Sequence, residues 1–263
     1  VARDLPSPDR VVRREGFATK IFDRKGELLY DVFGNERRTP VALSEVPMSL
    51  RQATIAIEDK NFYTHPGIDP LTPLRIVWNL IVKRRVVGGS GLTQQLVKTV
   101  ILSSERTVTR KIKEFILALQ IEQKYSKDQI LLMYLNEVPY GGTAYGIESA
   151  AQTYFGKQAR ELSVAESVIL AGLPQSPSNY SPYSGKLYIN RSNEVLRRMR
   201  EDGYITGKQE AEVRAQVAGI TFSSQSGILK APHFVFYVKQ KLIERYGEKA
   251  VEQGGLRVIT TLD

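Results

Sequence analysis

The sequence predicts a mainly α-helical protein with a short β-hairpin near its N-terminus. Three observations carry that reading. Ser126 with Gln129, Ser163 with Glu166 and Thr206 with Gln209 have capping-box spacing, in which paired side chains satisfy free backbone N–H groups at a helix start. Helical signals dominate from the mid-thirties to about residue 217. Only before that, in "FATKIFDRKGELLYDVF" (17–33), do two β-prone runs flank a turn, at Arg24-Lys25-Gly26.

Taken in order, residues 1–14 are Pro-rich and charged and read as a linker, followed by the hairpin. Ser44, with Pro47 nearby, is expected to open a helix through Leu50, Ala53, Ile57 and Glu58. Thr72-Pro73 looks like an N-cap followed by proline at the first helical position. Another helix should start near Ser90 or Leu92. Between Arg106 and Tyr125, the spacing of Ile112, Phe115, Ile116 and Leu119 predicts a helix with those residues as its buried stripe. Gly156 and Gly172 fall where helices should stop. The three prolines of "AGLPQSPSNYSP" (171–182) argue for a rigid loop there. Residues 186–217 give two charged helices and "HFVFYVKQKLIERYG" one more, while "LRVITTLD" reads as an unfinished strand. Both ends look cut from a longer chain.

Composition narrows the chemistry. Lys and Arg number 37 against 28 acids, a net charge of +9, which favours phosphate-bearing partners: nucleic acid, an anionic membrane surface or a phosphorylated substrate. The absence of cysteine excludes disulfides and thiolate metal sites. With only two histidines, far apart in sequence, a histidine-rich zinc site is disfavoured. The apolar run "IVWNLIV" (76–82) is far short of the ~20 residues a membrane-spanning helix needs.

Five stretches could carry chemistry. In "ATIAIEDKNFYTHPGID" (53–69) an apolar helical face ends on Glu58 and Asp59, just before Phe62 and a Pro-Gly turn. A solvated surface glutamate is the ordinary explanation, whereas a half-buried carboxylate beside a cleft would suit a general base. "GGSGLTQQLVK" (88–98) runs a glycine loop into a helix; it is either a plain turn or a polar grip, with Lys98 on the same face as Gln94 and Gln95. In "SERTVTRKIKEFILALQIE" the cations Arg106, Arg110, Lys111 and Lys113 surround Glu114, which a surface ion-pair helix explains equally well. "LNEVPYGGTAYGIESAAQTYFGK" leads a glycine-interrupted loop into an Ala-rich helix, and "AGLPQSPSNYSP" is the fifth.

In this order the stretches resemble the glycosyltransferase family 51 domain, the peptidoglycan polymerase of class A penicillin-binding proteins and monofunctional transglycosylases. "EDKNFYTHPG" (58–67) has that family's Glu-Asp-x-x-Phe-x-x-His-x-Gly pattern. "GGSGLTQQLVK" is similar to its Gly-Gly-Ser-Thr-x-Thr-Gln-Gln-Leu-x-Lys motif, and "RKIKE" (110–114) to its Arg-Lys-x-x-Glu motif. The resemblance spans roughly residues 44–182. Gly91 stands where the family usually has Thr, and Thr99 where Asn commonly follows the lysine.

The resemblance implies a lysozyme-like helical fold with a smaller, membrane-facing lobe. It divides the chain into a linker after an absent membrane anchor (1–14), the glycosyltransferase domain (15–245) and the start of a linker to an absent transpeptidase domain (246–263). The implied substrates are lipid II and the growing glycan strand, at the outer (periplasmic) face of the bacterial inner membrane. The implied roles make Glu58 the base for the acceptor hydroxyl, with Lys98, Arg106 and Lys113 holding the leaving pyrophosphate. Glu114 would orient the donor, hold the cation cluster or help bind a divalent metal. Phe62 and Arg75 would line the donor side, Asn136 and Gly141-Gly142 would shape the cleft, and Asp59, Ser90, Gln94 and Gln95 complete the substrate-binding set. The resemblance does not by itself call for a cofactor and leaves a divalent cation, Mg or Mn, as an open candidate. A lysozyme-like hydrolase would use the same fold and two carboxylates but no pyrophosphate clamp. A nucleic-acid-binding module would explain the charge and leave the Glu58 and Gln94-Gln95 motifs without a purpose. In residues 71–89, Leu74, Val77, Trp78 and Ile81 precede Lys83, Arg84 and Arg85, which by themselves read as an ordinary core helix with a basic end. A lipid-linked substrate adds the expectation of shallow insertion at an anionic bilayer.

Overall fold

The computed structural model describes residues 7, 19–32, 39–65, 90–101, 108–142, 144–223, 231–247, 251 and 256–263. The expectations for residues 71–89, and with them Arg75 and the Thr72-Pro73 cap, lie outside the described residues, as does Arg106.

The predicted hairpin is present as β1 (Thr19–Phe22) and β2 (Leu28–Val32), paired antiparallel. Its turn is closed by the Asp23 carboxylate, which accepts from the backbone N–H groups of Lys25 and Glu27 at 2.9 and 2.7 Å. Ser44 does not open the first α-helix. It sits in a 3₁₀ turn (Leu43–Glu45), and α1 (Met48–Glu58) begins after Pro47, which serves as its N-cap. Apolar and small residues bury most of the circumference of α1, because α6 (Val164–Gly172) and α8 (Leu187–Glu201) both pack against it.

On the other side of the site, α2 (Leu92–Val100) packs on α3 (Val108–Lys124) and α4 (Lys127–Glu137). The face that α3 buries differs from the predicted one. Ile112 and Phe115 are exposed, and Glu114, Leu117, Ala118 and Ile121 point inward. Both stripes have helical spacing, so periodicity alone selects the wrong one. The inner face is the one that packs against α2 and α4.

Residues 139–145 form a small hairpin, β3 (Pro139–Gly141) with β4 (Ala144–Tyr145), leading into α5 (Ile147–Phe155), which ends at Gly156 in the left-handed conformation. The capping boxes at Ser126, Ser163 and Thr206 form as their spacing predicts, the last opening α9 (Gly207–Ala218). The proline-rich stretch is not all loop. Pro177 occupies the first position of a one-turn helix, α7 (Pro177–Tyr180), and Pro182 that of a 3₁₀ turn, where a missing N–H costs nothing.

One continuous core joins α1 to α9. A second, smaller one gathers Ile21, Leu29, Val235 and Val251 between the hairpin and α10 (Pro232–Tyr246). The C-terminal run completes that unit: β5 (Arg257–Ile259) pairs parallel to β1, giving the strand order β2-β1-β5. Thr19 Oγ1 accepts from the Leu256 N–H at 3.0 Å and Phe22 O from the Thr260 N–H at 2.9 Å.

The hairpin β3–β4 is tied to α4 through Gly146, whose φ is +77° and whose pro-Cβ position lies 2.5 Å from the Asn136 carbonyl oxygen. A side chain there meets both backbone strain and a fixed peptide. Gly146→Ala is expected to lose about 1–3 kcal/mol of stability in urea unfolding; a loss below about 0.5 kcal/mol would show that the contact relaxes freely.

Candidate active site

Glu58 is the last residue of α1, and Asp59 is its C-cap. The two carboxylates part company at once. The Asp59 side chain turns to α2, where Oδ2 accepts from the Leu92 N–H at 3.0 Å and Oδ1 lies 2.8 Å from Nε2 of the buried His65. A carboxylate at a helix N-terminus satisfies an otherwise unpaired donor and meets the positive end of the helix dipole. Gly91 makes this approach possible, since a Cβ there would sit 2.5 Å from Asp59 Oδ2. Both Asp59 oxygens are therefore engaged inside the protein.

The Glu58 carboxylate turns the other way and is only 7% exposed. Its Oε2 accepts from Nε2 of Gln95 at 2.7 Å and its Oε1 from the Arg191 guanidinium at 3.3 Å. The orientation of the Gln95 amide follows from its own partners. The Tyr134 hydroxyl donates to Gln95 Oε1 at 3.3 Å, leaving Nε2 for Glu58 and for the Ser90 carbonyl at 3.0 Å. Tyr134 stays a donor because burial, reinforced by the negative charge of Glu58, pushes its phenol well above the ordinary range. The neighbouring Tyr140 is raised by the same two causes, burial first.

Ser90 links this group to the second carboxylate. Its hydroxyl accepts from Lys111 Nζ at 2.8 Å, and Lys111 also pairs with Glu114. Glu114 is 1% exposed, and its other oxygen accepts from Arg110 at 3.3 Å. The pairing follows the i+3 and i+4 spacing of a surface ion-pair helix, but the carboxylate is buried. Of the three arrangements open to Glu114, this geometry fits a holder of cations. With Arg110 and Lys111 on its two oxygens the residues do not suit a divalent metal, and among the described residues no three His, Asp or Glu side chains converge on a common point.

None of the other expected site residues that are described bonds to Glu58 or Glu114. Gln94 is buried in α2, while Lys98 is exposed on the same helix. Lys113 is half-buried on α3, and neither lysine pairs with a described residue. Phe62 is fully buried, with Lys127 Nζ 4.6 Å from its ring centre, so it supports the wall of the site from within and does not line it. Asn136 spends its amide on the Val41 backbone, accepting and donating at 3.1 Å, and so anchors the segment before α1. Gly141 brings β3 against Tyr154 and Pro177. Arg191 was not among the expected residues. It shares a face of α8 with the buried Tyr188 and Val195, three before and four after it, and that position was the available signal.

A mainly helical body with an inward-facing glutamate at the end of α1 and a carboxylate–cation cluster beside it defines a domain of the transglycosylase class. Residues 25–200 match the family model described as Transglycosylase, and the chain belongs to that family. It is 41% identical over 248 residues to penicillin-binding protein 1A of Aquifex aeolicus, covering 94% of this chain and 34% of that one. Against penicillin-binding protein 1A of Escherichia coli the figures are 40% over 245 residues, 92% and 29%. The crystal structure of penicillin-binding protein 1A from Haemophilus influenzae superposes with a TM-score of 0.57 at 25% identity, covering 94% of this chain and 27% of that one. The chain thus spans about a third of the length of these curated relatives.

The geometry separates the roles of the two adjacent acids. Asp59→Ala leaves the Leu92 N–H and His65 without their acceptor, so it should cost about 1–3 kcal/mol in chemical unfolding. Unchanged stability with weakened substrate binding would instead make Asp59 a substrate contact.

Proposed function

We propose that this domain is a peptidoglycan glycosyltransferase that polymerises lipid II into β-1,4-linked glycan strands. The observation that carries the reading is the Ser90 bridge: its backbone meets the amide that holds Glu58, and its side chain meets the cation that holds Glu114. A proton-accepting carboxylate and a positively charged cluster are thereby built into one wall.

The reaction needs both. A sugar hydroxyl is barely acidic, so Glu58 takes the proton of the acceptor GlcNAc 4-hydroxyl as that oxygen attacks the donor's anomeric carbon. The bond from that carbon to undecaprenyl pyrophosphate breaks, and the leaving group carries away the bonding pair. Cations fixed nearby stabilise the charge that grows on it. An α-linked donor then gives a β-linked product in one inverting displacement, without a covalent enzyme intermediate. Lys98, Lys113 and Arg106, with Arg110 and Lys111, are the proposed sources of that charge. Glu114 accepts from two cations, an arrangement suited to ordering a clamp and poorly suited to the general acid a hydrolase requires.

A lipid-linked substrate calls for a membrane surface, and the outer face of the bacterial cytoplasmic membrane is the proposed one. Among the described residues no helix is long and apolar enough to cross it. The greater length of the relatives fits fusion to a transpeptidase domain in the full protein. Glu58→Gln keeps the size and one acceptor for Arg191 but cannot take the proton. Polymerisation of purified lipid II should fall by roughly 10²-fold or more with the circular dichroism spectrum unchanged. Near-normal glycan synthesis by the folded variant would remove Glu58 from this role.

A further inference from the structure

We infer that Arg191 is a positioning residue for this reaction: it sets the orientation of the Glu58 carboxylate from a helix that lies beyond the five motif stretches. The inference rests on the glycosyltransferase reading and adds a component to it. Gln95 fixes only one oxygen of Glu58, and a carboxylate held at one oxygen can still rotate about its last bond. Arg191 reaches the other oxygen, Oε1, from across the site, so the two contacts together fix the plane of the group.

The arginine is itself held in place. Its Nε donates to the Gly172 carbonyl at 3.3 Å, and its guanidinium lies 5.7 Å from the Tyr180 ring centre. The side chain is only 10% exposed, so little solvent competes for its donors. Its path along α6 depends on glycine, because a Cβ on Gly172 would sit 2.8 Å from Arg191 Cγ. Glycine at the last residue of α6 thus leaves room for the arginine stem to pass.

A plain structural staple is the competing explanation, and the neighbouring turns of α8 speak against it. Arg198, seven residues on, already joins α8 to the end of α1 by donating to the Ile57 carbonyl at 3.1 Å. That bond satisfies a free C-terminal carbonyl of α1 and touches neither carboxylate oxygen of Glu58. The two arginines therefore divide the work, with Arg198 holding the helix end and Arg191 aiming the side chain. The remaining neighbours of Glu58 cannot substitute. Tyr134 acts on Gln95, Tyr140 makes no hydrogen bond to Glu58, and Asp59 faces α2.

The test compares Arg191→Met, Arg191→Lys, Gly172→Ala and Arg198→Met in steady-state lipid II polymerisation, with Glu58→Gln alongside. Misplacing a reacting group by about an ångström costs up to about 10²-fold. Arg191→Met should therefore lower kcat by about 10-fold or more, with KM within about twofold of wild type because Arg191 acts through Glu58. Arg191→Lys, which keeps a cation within reach of Oε1, should recover most of the lost kcat. Gly172→Ala should lower kcat in the same way, whereas Arg198→Met should lower thermal stability and leave kcat unchanged. Wild-type kcat in Arg191→Met would overturn the inference. So would a loss that appears in KM, or one that lysine does not relieve. If Arg191→Met fails to fold, normal kcat in a folded Gly172→Ala overturns it instead. Absence of polymerisation by the wild-type chain sinks the glycosyltransferase reading itself. Normal polymerisation by Glu58→Gln removes Glu58 from the base role and the positioning inference with it, and normal Arg191 variants beside an inactive Glu58→Gln sink only the positioning role.

Discussion

The rest of the site depends on one constraint: a carboxylate at the C-terminal end of α1 must be kept inside the protein without being neutralised by apolar packing. Burying a charge is costly unless it is paired and hydrogen-bonded. Glu58 meets that requirement with one amide and one guanidinium, drawn from α2 and α8. Each of those partners needs support of its own. Tyr134 sets the Gln95 amide, and Gly172 with Tyr180 sets Arg191. The packing of α1 between α6 and α8 is thus also what delivers the second donor.

The same reasoning explains why two neighbouring acids differ so sharply. At the end of a helix the backbone departs from regular geometry, and Asp59 has φ −158° and ψ 77°. Successive side chains then leave in different directions. Asp59 closes α2 onto α1, while Glu58 remains in the site. Glu114 repeats the pattern on α3 with Arg110 and Lys111, so Arg110, Lys111 and Arg191 hold the two site carboxylates. Part of the chain's basic excess is used in this way.

Much of this was legible from sequence because it is local. Capping boxes, the hairpin turn and the end of α5 at Gly156 each depend on residues within a few positions of one another. Glu58, Gln95, Ser90 and Glu114 were also visible, through motif order. The losses were of two kinds. On α3 two apolar stripes compete, and the packing of α2 and α4 against one of them decides, a contact that no periodicity contains. Arg191 lies 133 residues from Glu58, and only the packing of α8 on α1 brings them together. The proline-rich stretch was misread for a simpler reason: proline forbids helix interiors and favours helix starts.

In the proposed reaction this wall builds glycan and does not cleave it. The most direct measurement follows a radiolabel in two parallel reactions of the purified chain, one with labelled lipid II and one with a preformed labelled glycan. The account predicts that label from lipid II moves into longer strands as undecaprenyl pyrophosphate is released, while the preformed glycan is never shortened. Shortening of that glycan, with no growth from lipid II, would contradict it.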